Sequence, residues 1–155
     1  QPVSLISFHA DISPEEAGQC TRSILTHFKH VTKMVVLDSF TAVGYISEVW
    51  GDDLTPPFLR VLHTSPASPV DLALFEPPNM IKGLSASIIN YCEIHGIACY
   101  DLLTLQESIY GKLIVTTEIL SAYTAGLKSL GLHLTLDENK VKQGLVDDSH
   151  HRLYL

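Results

Sequence analysis

Ser85 lies in Gly83-Leu84-Ser85-Ala86-Ser87, which has the first glycine of a nucleophile elbow but not the second. The run opens a helix with no apolar strand just before it, so nothing forces the sharp strand-to-helix turn that would expose a reactive hydroxyl. His27 and His30 are three apart at a helix end, where an imidazolium complements the C-terminal dipole. His150 and His151 supply too few ligands for a metal site. Asp52-Asp53 and Asp147-Asp148 read as solvated pairs in turn and tail, without the partner acid that glycoside hydrolysis needs. Cys20, Cys92 and Cys99 form neither a CxxC pair nor an even disulfide framework, and they read as small core residues in a reducing compartment. No GxGxxG, phosphate loop, HExxH or kinase signature occurs. The expectation is a protein without catalytic residues, cofactor or metal.

The chemistry that remains is recognition, and it sits at the end of the chain. His150-His151-Arg152-Leu153-Tyr154-Leu155 closes on two leucines around a tyrosine and a terminal carboxylate. Chain ends are ordinarily polar, so an apolar anchor tipped with a negative charge suits a pocket in another molecule. Packing back onto its own domain is the other reading of such an end.

Composition bounds the partner. At 155 residues, 46% hydrophobic and 17% charged, the chain fits one globular domain plus a tail. A net charge of −7 with ten scattered Lys and Arg argues against nucleic acid, where affinity rests on neutralising phosphates. No apolar run approaches the ~20 residues of a membrane span, and no Asn-x-Ser/Thr acceptor occurs. The expected location is cytoplasmic, with the nucleus as a further compartment.

Among the elements that carry these residues, Pro2 to Phe8 alternates as a short strand would, with Val3, Leu5 and Phe8 apolar. Ser13-Pro14-Glu15-Glu16 is a helix start: N-cap serine, proline at the first helical position and glutamate at the third. Ala17, Cys20, Ile24 and Phe28 are the expected inward stripe. Lys33 to Asp38 is a continuous apolar run, expected as a central strand buried on both faces. Ala42 to Trp50 is compatible with a strand, Gly51 to Pro57 is turn chemistry, and Phe58 to Leu62 is another short apolar segment. Ser65-Pro66-Ala67-Ser68-Pro69 reads as a loop inserted at the sheet edge. Leu84, Ile88, Tyr91, Cys92 and His95 follow a helical period that Gly96 ends, and a strand begins directly at Ile97. A last helix is expected from about Thr116 to Leu130, capped by Gly131. The predicted fold class is therefore α/β: a three-layer sandwich with a mainly parallel central sheet flanked by helices. Residues 1–136 form its single domain, and 137–155 a flexible C-terminal tail.

Three stretches carry a resemblance: Pro56 to Thr64 with its Pro-Phe-Leu-Arg, Glu76-Pro77-Pro78-Asn79-Met80-Ile81, and Leu84 to Cys92 with a strand after it. Together they resemble the proteasome assembly chaperone 1 family, over about Pro56 to Leu103. Members of that family also end in a hydrophobic residue, a tyrosine and any final residue, as Leu153-Tyr154-Leu155 does. The resemblance implies a heterodimer with a proteasome assembly chaperone 2-like protein. It also implies promotion of α-ring assembly of the proteasome core particle, with Leu153, Tyr154 and Leu155 docking into a pocket on its α-subunits. The family extends further at its N-terminus, which implies an N-terminally truncated domain here. Two other readings stay open: a binding module of another complex, its tail captured by a carboxylate-binding groove such as a PDZ domain, and a nucleoside phosphorylase-like α/β enzyme.

Overall fold

Helix α1, Pro14–His27, starts where the sequence places it, because Ser13 N–H and Oγ both donate to Glu16 Oε2, at 3.4 and 2.9 Å. Those contacts satisfy groups that a helix start leaves orphaned. Its inward face is turned from the expected stripe: Ala17, Thr21 and Leu25 are buried, and Cys20, Ile24 and Phe28 flank them half-buried. Thr21 can sit inside because its hydroxyl donates to Ser87 Oγ of a neighbouring helix at 2.9 Å.

The remaining elements are β1, Lys33–Phe40; β2, Leu59–His63; α2, Gly83–Ile94; β3, Ala98–Leu105; the two-residue β4, Ser108–Ile109, and β5, Lys112–Leu113; and α3, Thr117–Ser129. This computed structural model describes residues 3–28, 30–47, 54, 57–109, 112–137 and 139–141. Among them β1, β3 and β2 form one sheet in that order. β1 runs parallel to β3 with Val35 beside Tyr100 and Leu37 beside Leu102, whereas β2 is antiparallel to β3 with Val61 beside Leu102. Among the described strands β1–β3 is the parallel pair, and an isolated parallel bridge joins Val61 of β2 to Leu74.

Strand alternation sorts the sheet into two faces. Tyr100 and Leu102 of β3, with Val35 and Val61, pack against Leu127 and Leu130 of α3 and its C-terminal end. Cys99 of β3, with Met34 and Val36, packs against Ile88 and Cys92 of α2 and Leu25 of α1. Helices therefore cover both faces of a small sheet, the three-layer α/β arrangement expected from the sequence. α3 comes close to the sheet at Gly126, where a Cβ would stand 2.9 Å from Leu59 Cδ2 and 3.0 Å from Leu102 Cδ1.

Three expectations are corrected. β1 is an edge strand, Leu37 is 45% exposed, and the central strand is β3, whose seven residues Cys99 to Leu105 are all buried. Val3 to Phe8 forms no strand and is exposed. Ala42–Gly44 is a 3-10 turn, and Glu48 to Trp50 lie outside the described residues. The loop after β2 does lie at the sheet edge: it folds back so that Val61 N–H donates to Ala73 O and Phe75 N–H to Val61 O, both at 2.9 Å. These bonds occupy the outer side of β2.

Candidate docking surface and buried polar cluster

The segments that carry the resemblance meet at one end of the sheet. Phe58, just before β2, lies under the Arg60 guanidinium at 3.9 Å, and Arg60 Nε approaches Glu76 Oε2 at 3.7 Å. Glu76 Oε1 accepts from the Tyr45 hydroxyl at 2.7 Å. Burial, then the Glu76 contact, raises the Tyr45 hydroxyl above its ordinary range. Burial alone would raise Glu76 too, but the Tyr45 hydroxyl and its own backbone N–H outweigh that, and its carboxyl is held low. Phe40, Tyr45, Phe58 and Phe75 pack as an aromatic group with ring centroids 4.8 to 5.8 Å apart. Tyr45, Phe75 and Leu103 form its buried centre.

Asn79 closes this corner. Its side-chain amide accepts from Ile46 N–H at 2.8 Å and donates to Ile46 O at 2.7 Å and Glu76 O at 3.0 Å. The Pro77–Pro78 bond beside it is cis. Two loops are thereby clamped together through a side chain that imitates a backbone pair. Val43, Ile46 and Met80, carried on those same two loops, stand 100%, 58% and 87% exposed. An anchored loop that presents bare apolar side chains is suited to contact with another protein.

The polar cluster lies on the same face of the sheet as Leu103, beside the start of α2. Ser85, in the first turn of α2, donates to Asp38 Oδ2 at 2.6 Å and to Lys82 O at 3.2 Å. The hydroxyl set in an incomplete nucleophile elbow thus points at a carboxylate and a carbonyl and ties α2 to β1. Asp101 of β3 is fully buried, with both carboxylate oxygens unpartnered among the described residues. Burial, and then the nearby Asp38, pushes its pKa up to about 8. Asp101 is therefore largely a neutral acid at pH 7, which removes most of the penalty of an interior charge. Tyr123 of α3 donates to Asp38 O at 2.6 Å and is pushed up to about 12, mainly by burial.

The other sequence candidates are scattered. His27 meets Phe28 edge-on, and His95 stacks on Tyr91 with ring centroids 3.8 Å apart. Cys92 and Cys99 are buried in the core and Cys20 is half-buried, all three as free thiols. Among the described residues no group of three His, Cys, Asp or Glu could hold a metal ion, and no helix is long and apolar enough to cross a membrane. Asp52, Asp53, Asp147, Asp148, His150, His151 and Leu153, Tyr154 and Leu155, expected from the sequence to dock, lie outside the described residues. The root of that tail is described. Leu130 O accepts from Lys33 Nζ at 3.0 Å, and Asp137 Oδ1 accepts from the amides of Asn139 and Lys140 at 3.1 and 3.3 Å.

Sequence reasoning passed over Asp101 and Tyr45. The signal for Asp101 was a lone acid inside the apolar strand Ala98 to Leu103; for Tyr45 there was none, since its partners lie in loops far along the chain.

The sequence profile of the PAC1 family, described as Proteasome assembly chaperone 4, matches residues 16–149. A curated relative, Proteasome assembly chaperone 1 of Dictyostelium discoideum, is 31% identical over 104 residues, which is 66% of this chain. The chain spans 38% of the length of that relative. Among solved structures, Pyrococcus furiosus PbaA, an archaeal homolog of proteasome-assembly chaperone, superposes with a TM-score of 0.59 at 13% identity. That match covers 93% of this chain and 63% of PbaA. A Thermoplasma acidophilum protein of unknown function gives 0.60 at 16% identity, over 93% of this chain and 60% of its own. These two likenesses establish the fold.

Proposed function

The chain belongs to the PAC1 family of proteasome assembly chaperones, and from that premise we propose that it acts by binding rather than catalysis. It pairs with a proteasome assembly chaperone 2-like protein, promotes α-ring assembly of the core particle, and docks Leu153-Tyr154-Leu155 into an α-subunit pocket. Its place of action is the cytoplasm, with the nucleus as a further compartment. The observation that carries this reading is the family match over residues 16–149. The apolar, carboxylate-tipped chain end supports the docking step.

Magnitudes explain why such a chaperone works as a pair. Burying Leu153 and Tyr154 contributes about 1.5 to 3 kcal/mol each, and a charge-assisted hydrogen bond to the Leu155 carboxylate about 1.5 to 3 more. Ordering four to six backbone residues costs about 1 to 2 kcal/mol apiece, which cancels most of that gain. One tail alone therefore binds weakly. Body surface, and a second tail held nearby by the partner chaperone, raise the effective concentration to a useful level. A small change in the pockets as the particle matures then suffices for release.

Deleting Leu153 to Leu155 tests the docking step. The expected outcome is at least ten-fold weaker binding to assembled α-rings by surface plasmon resonance, with unchanged thermal stability and unchanged co-purification with the partner chaperone. Equal ring binding by the truncated chain refutes docking through the tail. Amidating the terminal carboxylate is expected to weaken binding as well, and unchanged affinity rules out a basic contact at the chain end.

A further inference from the structure

Among the described residues no strand pairs with the outer edge of β1. Phe40 O accepts from Gln106 N–H at 2.8 Å, just past the end of β3, so in a parallel ladder the even residues of β1 face β3 and the odd ones face out. Of the outward amides, Ser39 N–H is closed off by the Asp38 carboxylate at 2.8 Å. Val35 and Leu37 turn their N–H and C=O groups to the free edge.

The segment before α1 comes up to this edge at Phe8, and residues 3–8 are assigned to no strand. Val3, Leu5, Ile6 and Phe8 are 68%, 86%, 42% and 45% exposed, and no backbone hydrogen bond from this segment is found among the described residues. Its end is already in place: a cleft is lined on one side by Phe8 to Ile12 and on the other by Leu37, Asp38, Ser39 and Leu84. The connections also fit. Five residues, His9 to Ser13, separate Phe8 from α1, and five more, Phe28 to Thr32, separate α1 from β1. Strand, helix and parallel neighbouring strand joined by loops of this length form the standard crossover of α/β sheets.

We propose that Val3–Phe8 closes onto the outer edge of β1 as a fourth, parallel strand, a strap whose open state leaves these residues exposed and unpaired. With Phe8 beside Asp38, Leu5 lies beside Val35 and Val3 beside Lys33. Val3 and Leu5 then join Val35 on the α3 face, while Ile6 and Phe8 join Val36 on the α1–α2 face. Apolar residues on both sides are what a strand covered by helices on both faces requires. Closure also removes an apolar strand edge from solvent, a site that otherwise invites pairing with other chains.

Hydrogen exchange on the intact chain, read by NMR, tests this. In the paired state the amides of Ile6, Phe8, Val35 and Leu37 exchange about 100-fold or more slower than unstructured peptide. Ile6→Pro removes the N–H that Val35 O accepts in this register, and it is expected to return Phe8, Val35 and Leu37 to fast exchange while β3 stays protected. Exchange of Ile6 and Phe8 within a few-fold of the unstructured rate in the wild-type chain overturns the proposal. Protection that grows with protein concentration overturns it too, because a second copy then supplies the strand.

Discussion

Asp101 shows what one interior carboxyl does to the pH response of the fold. An unfolded chain releases this proton near the ordinary 3.8, whereas the native state holds it to about 8. Between those values the native state binds the extra proton, so this group makes stability fall as pH rises, by up to about 1.4 kcal/mol per pH unit, and the loss levels off above pH 8. Asp101→Asn keeps the shape and cannot ionise. Its advantage over wild type is therefore expected to be small at pH 4.5 and several kcal/mol at pH 8.5, read from urea midpoints at the two pH values. Parallel pH profiles for the two proteins would contradict the assignment. The residue was visible in the sequence as an acid inside an apolar strand, but its isolation was not, because that depends on what α2 and β1 bring beside it. Thr21 is the converse case. A polar residue in a helix reads as solvent-facing until Ser87 of another helix is found 2.9 Å away.

At the scale of elements, local chemistry was legible and lateral position was not. The Ser13 and Glu16 start of α1, the glycines after α2 and α3, and the strand directly after α2 follow from the backbone needs of each residue type. Lys33 to Asp38 was readable as a strand covered on both faces. Whether it has one neighbour or two depends on partners far along the chain, and the same apolar run suits an edge under two helices as well as a centre. Nor does local sequence foretell the clamp of Asn79 on Ile46, which joins residues 33 positions apart. Gly126, buried in the α3 stripe, owes its identity to Leu59 and Leu102 on the sheet. Gly126→Val is expected to cost about 2 to 3 kcal/mol by overpacking. Gly126→Ala is expected to be near neutral, since the roughly 1 kcal/mol gained in helix propensity offsets the displacement of two leucine methyls. Thermal unfolding of the two variants checks the order, and an equal loss in both would contradict it.

At the scale of the whole molecule, the docking proposed above divides the work between an anchored body and a short C-terminal sequence, and experiment separates their contributions. A synthetic peptide of residues 149–155 carries the terminal contacts without the body or the second chaperone. It is expected to bind α-rings at least about 100-fold more weakly than the paired chaperones. Peptide and complex of equal affinity would place the whole interaction in the last residues and leave Val43, Ile46 and Met80 without a part in it. The family was legible from wording around Phe58, Glu76 and Asn79, and the structure gives that wording a cause. Phe58 lies under Arg60, Arg60 approaches Glu76, and Glu76 and Asn79 hold the opposing loop.

The Lys33 ammonium that grips Leu130 O fixes the point where α3 gives way to the C-terminal segment. From Val141 onward fourteen residues remain, a contour of at most about 50 Å. In the docking proposed above, Val141 is the centre of a sphere of that radius, and a crevice that receives Leu155 opens inside it. On that proposal, the sphere limits which seams of a ring these residues can reach once the body has settled on its surface.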